Sequence, residues 1–447
     1  MSSYWLERAW LGDGPVREGV RVTVEDGLFA EVAEAPADGA ERLVGLTIPG
    51  LANCHSHAFH RALRGRTQRG RGTFWTWREQ MYAVAATLTP DSYFELARAT
   101  YREMAAVGIT SVGEFHYLHH GPGGTPYDDP NAMSHALVAA AGEAGIRIAL
   151  LDTCYLTAGI GRPAEGVQLR FSDRTVDAWA TRLSRRPVTH AAENAAGRGR
   201  SAGSTVVPGA AIHSVRAVPA NQMPAVAAWA TEHEAPLHVH LSEQVAENDA
   251  CLEAYGATPT EVLERAGALG ERTSVVHATH LTDQDVARLG GSRTRACFCP
   301  TTERDLGDGI GPSRRLHDAG AVLTLGSDSH AVIDPFEEMR AVELDERLAT
   351  RTRGHWSADE LLLAATQDGH VSLGFDAGRI AVGARADLVT LDATSLRTGG
   401  TGADAGTAVF AASGADVVRV LRDGVDVTQD PREVGAELDR VIRRLLS

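Results

Sequence analysis

The chain has 447 residues, of which 43% are hydrophobic and 23% charged, and its formal net charge is −15. That length exceeds a single small module, and more than one domain is expected. The acidity disfavours nonspecific binding to nucleic acid or anionic membranes while leaving local basic pockets open, and no apolar run approaches the length of a membrane span, so the expected partner is a small molecule. Lysine is absent, so all 43 basic residues are arginine. Five scattered cysteines, Cys54, Cys154, Cys251, Cys297 and Cys299, read as reduced thiols rather than a disulfide framework. The opening Met1–Arg8 lacks an export pattern, and cytoplasmic residence is the expectation.

Residues 1–46 read as short strands, with Asp26-Gly27 as a hairpin turn. After Ile48-Pro49-Gly50 the text alternates apolar β-rich runs with helical stretches such as Pro90 to Val107 and Thr258 to Ala268. Strands are predicted at 47–54, 110–116, 147–154, 206–213, 236–241, 273–278, 295–299 and 321–326. Polar and ionisable residues gather at the C-terminal ends of nearly all of them. That pattern favours a (β/α)₈ barrel over a doubly wound sheet, which concentrates such residues at one switch point. Residues 184–204, rich in Gly, Ser and Arg, read as a mobile loop or lid, and residues 64–79, mixing Arg with aromatics, as an active-site loop. Beyond residue 376 the strand-like text at 378–392 and 417–425 reads as the other half of the N-terminal β unit.

Four strand ends supply the candidate chemistry. His55 and His57 lie two apart on a strand and so point to one side. His238 and His240 share a face in the same way, and His240 is preferred because it lies nearer the C-terminal end, where barrel sites form. With Asp328 after the eighth strand, His55, His57 and His240 make a three-imidazole, one-carboxylate set suited to one divalent ion, Zn²⁺ first, with Fe²⁺ open. Glu243 is placed to carry a proton from a metal-activated water to a leaving group, His277 to polarise the electrophile, and Asp328 to bind metal and accept a proton. Without lysine, a two-metal centre bridged by carbamylated lysine is excluded. Cys297-x-Cys299 is too closely spaced for the usual zinc pair.

These motifs resemble the amidohydrolase superfamily over essentially the whole chain: Pro49-Gly50 with His55-x-His57, His240-x-x-Glu243, His277, Ser327-Asp328, and Gly378-x-Ile380-x-x-Gly383-x-x-Ala386-Asp387-Leu388. The resemblance implies a metal-dependent (β/α)₈ barrel over 47–376 and a small β-sandwich built from 1–46 and 377–447, the latter with a C-terminal helix. Within the superfamily, Phe74-Trp75-Thr76-Trp77-Arg78-Glu79 and Glu114-Phe115-His116-Tyr117 resemble the formimidoylglutamate deiminase group most closely. That likeness implies hydrolysis of the C=N bond of N-formimidoyl-L-glutamate to N-formyl-L-glutamate and ammonia in histidine degradation, by a homodimer. It also implies His60, Arg78, Tyr117, His213 and Arg216 as substrate contacts, since arginine forks suit the two carboxylates. His60 departs from the glutamine expected there. Arg61, Arg64, Arg66, Arg304 and Asp305 are further residues expected to reshape the anion pocket. The competing readings are a mononuclear aminohydrolase of a heterocycle, guanine or triazine in type, and a noncatalytic barrel.

Overall fold

The computed structural model describes residues 1–69, 72, 74–185 and 204–447. Apart from its ends, the expected lid at 184–204 lies outside the described residues. Eight parallel strands form one sheet: Leu51–Ser56, Ile109–His116, Arg147–Cys154, Val206–Ile212, Leu237–Leu241, Thr273–His277, Arg295–Phe298 and Val322–Leu325. Each pairs with the next in chain order. The eighth meets the first just beyond the strand ends, where the backbone N–H groups of Ser327 and Asp328 both donate to the His55 carbonyl at 3.0 Å. Helices such as Pro90–Ala106, Ala132–Ala144, Met223–Glu232 and Pro335–Thr350 follow the strands and cover the outside. Because every strand is covered by helices, its residues are apolar in near-continuous runs rather than in alternation. Arg147–Cys154, for example, is buried along its whole length.

The predicted strands from the second to the eighth stand within a residue or two of their observed bounds. The first does not. The run predicted as one strand at 47–54 is two, Glu41–Pro49 in a separate sheet and Leu51–Ser56 in the barrel, divided at Gly50. A Cβ at Gly50 would lie 2.5 Å from Thr110 Oγ1 and 2.7 Å from Asp387 Cβ, so only glycine lets the chain pass between the two sheets here.

The separate sheet has seven strands drawn from both ends of the chain, in the order Val425–Asp426, Val417–Arg422, Leu388–Leu391, Glu41–Pro49, Ser2–Ala9, Arg17–Glu25, Leu28–Glu34. Asp26 and Gly27 both have positive φ, as the tight hairpin turn requires. At the far edge Phe29 donates to Ala384 O at 2.9 Å and accepts from Gly383 N–H at 2.8 Å, which folds the sheet over its own core of Leu6, Val22, Phe29, Leu388 and Leu421. The final helix, Pro431–Leu446, returns to the barrel and lies against Pro90–Ala106, where Glu437 takes hydrogen bonds from Arg98 and Arg102. No described helix is long and apolar enough to cross a membrane.

Candidate active site

His55 and His57 leave the first strand side by side, and His240 leaves the fifth. Asp328 follows the eighth. Their ligand atoms lie within 4.8 Å of one another, and all four residues are buried. His55 Nε2 is 3.0 Å from His240 Nε2 and 3.3 Å from Asp328 Oδ1, which is also 3.3 Å from His57 Nε2. His57 Nδ1 faces the Phe115 carbonyl at 2.9 Å, and His240 Nδ1 faces the His213 carbonyl at 2.9 Å. A carbonyl only accepts, so both Nδ1 atoms carry the proton and both Nε2 lone pairs are aimed at the centre. Burial, reinforced by neighbouring imidazoles, drives the His55 pKa down to about 4 and that of His240 well below its usual value, which keeps them as neutral donors. Asp328 is pushed upward by burial but held well below the usual carboxylate range by the imidazoles of His55 and His57 beside it. Converging neutral nitrogens around one ionised oxygen are a donor set that fits a single borderline divalent cation.

His238, the alternative on the same face, lies one strand repeat deeper, and neither of its ring nitrogens has a hydrogen-bond partner. It is outside the four-residue group. The cysteines are all free and buried, and none belongs to that group either.

Glu243 and His277 stand over the centre. His277 Nε2 is 3.9 Å from Glu243 Oε1 and 3.7 Å from Asp328 Oδ2, so the three face one small space. Its other nitrogen, Nδ1, lies 3.3 Å from Glu303 Oε1, which also accepts from the Cys299 N–H at 2.9 Å. Burial works against charge on His277, yet Glu243, Glu303 and Asp328 together hold its pKa well above the ordinary value. The backbone bends sharply at these positions: φ is +50° at Ser242, +72° at His277, +37° at Asp328 and +56° at His330. Left-handed backbone at non-glycine residues costs about 1–3 kcal/mol each, and here it gathers where side chains must turn over the barrel mouth.

A cavity of about 690 Å³, open to solvent, lies above this centre. His60, Arg78, Tyr117, His213 and Arg216 all line it, together with Glu243, His277 and Asp328. His60 follows His57 on the short 3₁₀ turn Ala58–Leu63, and its Nε2 is 3.0 Å from the Tyr117 hydroxyl. Arg78 projects from helix Phe74–Thr87, with its guanidinium over the Tyr82 ring at 5.6 Å. Arg216 donates to Glu247 Oε2 at 2.9 Å and lies 3.7 Å from Glu243, so it is both ion-paired and exposed to the cavity. Tyr82, Tyr155 and Phe171 complete an aromatic wall.

Several functional neighbours were not singled out by the sequence reading. Glu303 lies within Cys299-Pro300-Thr301-Thr302-Glu303, and nothing in that stretch says which histidine the carboxylate meets. Glu247 reads as an ordinary acidic residue of helix Val245–Tyr255. Tyr155 and Phe171 follow the third strand with no motif spacing to mark them. Conversely, Arg61, Arg64 and Arg66 do not line this cavity but another, and Arg304 pairs with Glu337 and Asp345 while Asp305 binds Gln68, all at the surface. The expectation that they reshape the anion pocket is corrected: a residue next to a site residue in sequence falls on the opposite side of a turn or helix.

The profile of the amidohydrolase family matches residues 46–427. The chain is 38% identical over 452 residues to formimidoylglutamate deiminase of Pseudomonas aeruginosa, covering 98% of this chain and 97% of that one. It is 29% identical over 398 residues to 8-oxoguanine deaminase of the same organism, covering 85% of this chain and 83% of the relative. Among solved structures, an amidohydrolase from Brucella melitensis superposes with a TM-score of 0.87 at 30% identity over 100% of both chains. Profile, full-length relative and superposition agree with the motifs at the strand ends, and the chain belongs to the amidohydrolase family, as a hydrolase acting on C–N bonds.

Proposed function

We propose that this protein hydrolyses the C=N bond of N-formimidoyl-L-glutamate, giving N-formyl-L-glutamate and ammonia, a step in the breakdown of histidine. The observation that carries the reading is the presence of two guanidiniums, Arg78 and Arg216, in the same cavity as the four-ligand centre. A substrate that ends in two carboxylates calls for cations of this planar, forked kind. The full-length likeness to a formimidoylglutamate deiminase supports it.

On this reading His55, His57, His240 and Asp328 hold one divalent ion, with Zn²⁺ the first choice for the donor set. When bound, it supplies Lewis acidity that makes water a competent nucleophile near neutral pH. Glu243 takes a proton from the attacking water as its oxygen bonds to the formimidoyl carbon and delivers it to the terminal nitrogen; when the second water proton, taken by Asp328, reaches the same nitrogen, the C–N bond breaks and ammonia leaves. His277, charged and held by Glu303, stabilises the oxygen of the tetrahedral carbon; Asp328 faces the same space and accepts the remaining proton. Arg78 and Arg216 hold the carboxylates, and Tyr117, His60 and His213 supply hydrogen bonds along the chain between.

A heterocyclic amine is the second reading, favoured by the aromatic wall of Tyr82, Tyr155 and Phe171 and by the likeness to 8-oxoguanine deaminase. Ammonia release from metal-loaded protein separates the two. The proposal expects fast release from N-formimidoyl-L-glutamate, little from N-formimidoylglycine or guanine, and none above background from Glu243→Gln. Release from guanine but not from the formimidoyl amino acids would overturn it.

A further inference from the structure

Arg61, on the same short turn as His60, and Arg64, just past its end, face away from the active cavity. With Arg66 and, from the final helix, Arg443, they line a second cavity of about 590 Å³ that shares no residue with the first. Much of that space is open to solvent; the part that water can occupy is about 260 Å³, just under the range of sites for drug-sized molecules, about 300–1,000 Å³, and enough for a small ion. The charge there is unbalanced. Glu103 alone serves two guanidiniums, at 2.5 Å from Arg61 Nε and 2.5 Å from Arg64 Nη1, and Asp439 is tied to Arg443 at 2.7 Å. Arg66 has no ion pair among the described residues, and Arg64 Nη2 is buried without a hydrogen-bond partner. Four cations therefore meet two carboxylates, in a protein whose net charge is −15. Gly435, near the start of the final helix, stands at the exposed rim, where a Cβ would meet nothing within 4 Å.

We infer that this cavity binds a small oxyanion of phosphate or polycarboxylate type, held by Arg61, Arg64, Arg66 and Arg443. The anion would supply the charge that Glu103 and Asp439 leave unmatched, in forked contacts that guanidinium groups favour. The site adjoins the catalytic centre. Arg64 Nε donates to the His330 carbonyl at 2.6 Å, and His330 Nε2 is 3.1 Å from Ser56 Oγ, in the residue between His55 and His57. One turn of 3₁₀ helix separates the two cavities.

The test is calorimetric titration of the full-length, metal-loaded protein with inorganic phosphate, and separately with citrate, each against sodium chloride at matched ionic strength. The inference expects saturable binding near one per chain, weakened about tenfold in the Arg61→Gln/Arg443→Gln double variant and weakened also in Gly435→Leu, whose side chain crowds the rim. Tighter phosphate or tighter citrate identifies the source, and either supports the site. Heats that fail to saturate, or binding unchanged in both variants, mean an adventitious ion only and overturn it. So does binding lost in Arg216→Met but kept in the cavity variants, which puts the anion in the active site. If Gly435→Leu alters the sedimentation mass while phosphate shows no binding, the cavity is a face between copies of the chain and the inference fails.

Discussion

Arg147 and Asp387, 240 residues apart in the chain, are locked together with both side chains fully buried: Arg147 Nη1 donates to Asp387 Oδ2 at 2.5 Å and Nη2 to Oδ1 at 2.7 Å. Arg147 opens the third barrel strand, and Asp387 immediately precedes a strand of the terminal sheet. Asp423 joins the pair from the next strand's turn. Removing one partner leaves a buried charge without its counterion, which costs about 3–5 kcal/mol. Arg147→Met is therefore expected to lower the unfolding free energy by that amount in denaturant melts, and an effect below about 1 kcal/mol would show that the two sheets are held by apolar contact alone.

The same pair predicts the response to acid. Burial alone would raise the Asp387 pKa, but the charge and hydrogen bonds of Arg147 hold it below the ordinary carboxylate value. A depressed carboxyl stabilises the fold fully above its unfolded pKa of about 3.9, and that contribution fades as pH falls toward the folded value. Asp173, held down by His120 and Arg182 against the upward push of burial, acts in the same direction. Stability measured by chemical denaturation is expected to fall as the pH drops below about 4, and to fall less steeply in Asp387→Asn, which has no carboxyl at that position to protonate.

Glu303 orients His277 without facing the cavity. Losing such an outer partner typically costs 10–100-fold. Glu303→Gln is expected to lower kcat by about that factor, retain stoichiometric metal and shift the pH profile of kcat, because His277 loses one of the carboxylates that favour its charged form. An unchanged pH profile together with lost metal would mean that the residue is merely structural.

Arg78 and Arg216 differ in how much else they support. Arg78→Met is expected to raise KM for N-formimidoyl-L-glutamate by at least about tenfold with a smaller change in kcat, since its proposed role is to hold a carboxylate rather than to act on the reacting bond. Arg216→Met strands Glu247 and disturbs Glu243, so both parameters should suffer. Steady-state kinetics showing neither change would remove the carboxylate clamp.

Chelation tests the metal directly. Dialysis against a strong chelator is expected to abolish turnover and lower the melting temperature, with Zn²⁺ restoring both. Full activity in protein shown to be metal-free would end the proposal.

The barrel was legible because each strand between the second and the eighth is a short apolar run ended by polar residues, a signal that survives without tertiary information. The division at Gly50 was not, since Glu41–Pro49 and Leu51–Ser56 are equally apolar and the switch depends on what Thr110 and Asp387 place beside them. In the site, residues marked by spacing, His55 with His57 and His240 with Glu243, could be read directly. Glu303 and Glu247 could not, because each gains meaning only from a partner 26 or 31 residues away. The arginines after His60 misled because a 3₁₀ turn points Arg61 about a third of a turn away from His60, and the chain beyond Leu63 carries Arg64 and Arg66 to the other cavity.

The meeting of Asp328 with His55 is also the seam that joins the first strand to the last. A chain emerging from the ribosome holds His55 and His57 early, but has neither a closed barrel nor a complete ligand set until residue 328 is available. On the proposed ligand assignment, metal capture and ring closure become a single late event, and a product truncated before that point is expected to be inert however well its earlier strands have formed.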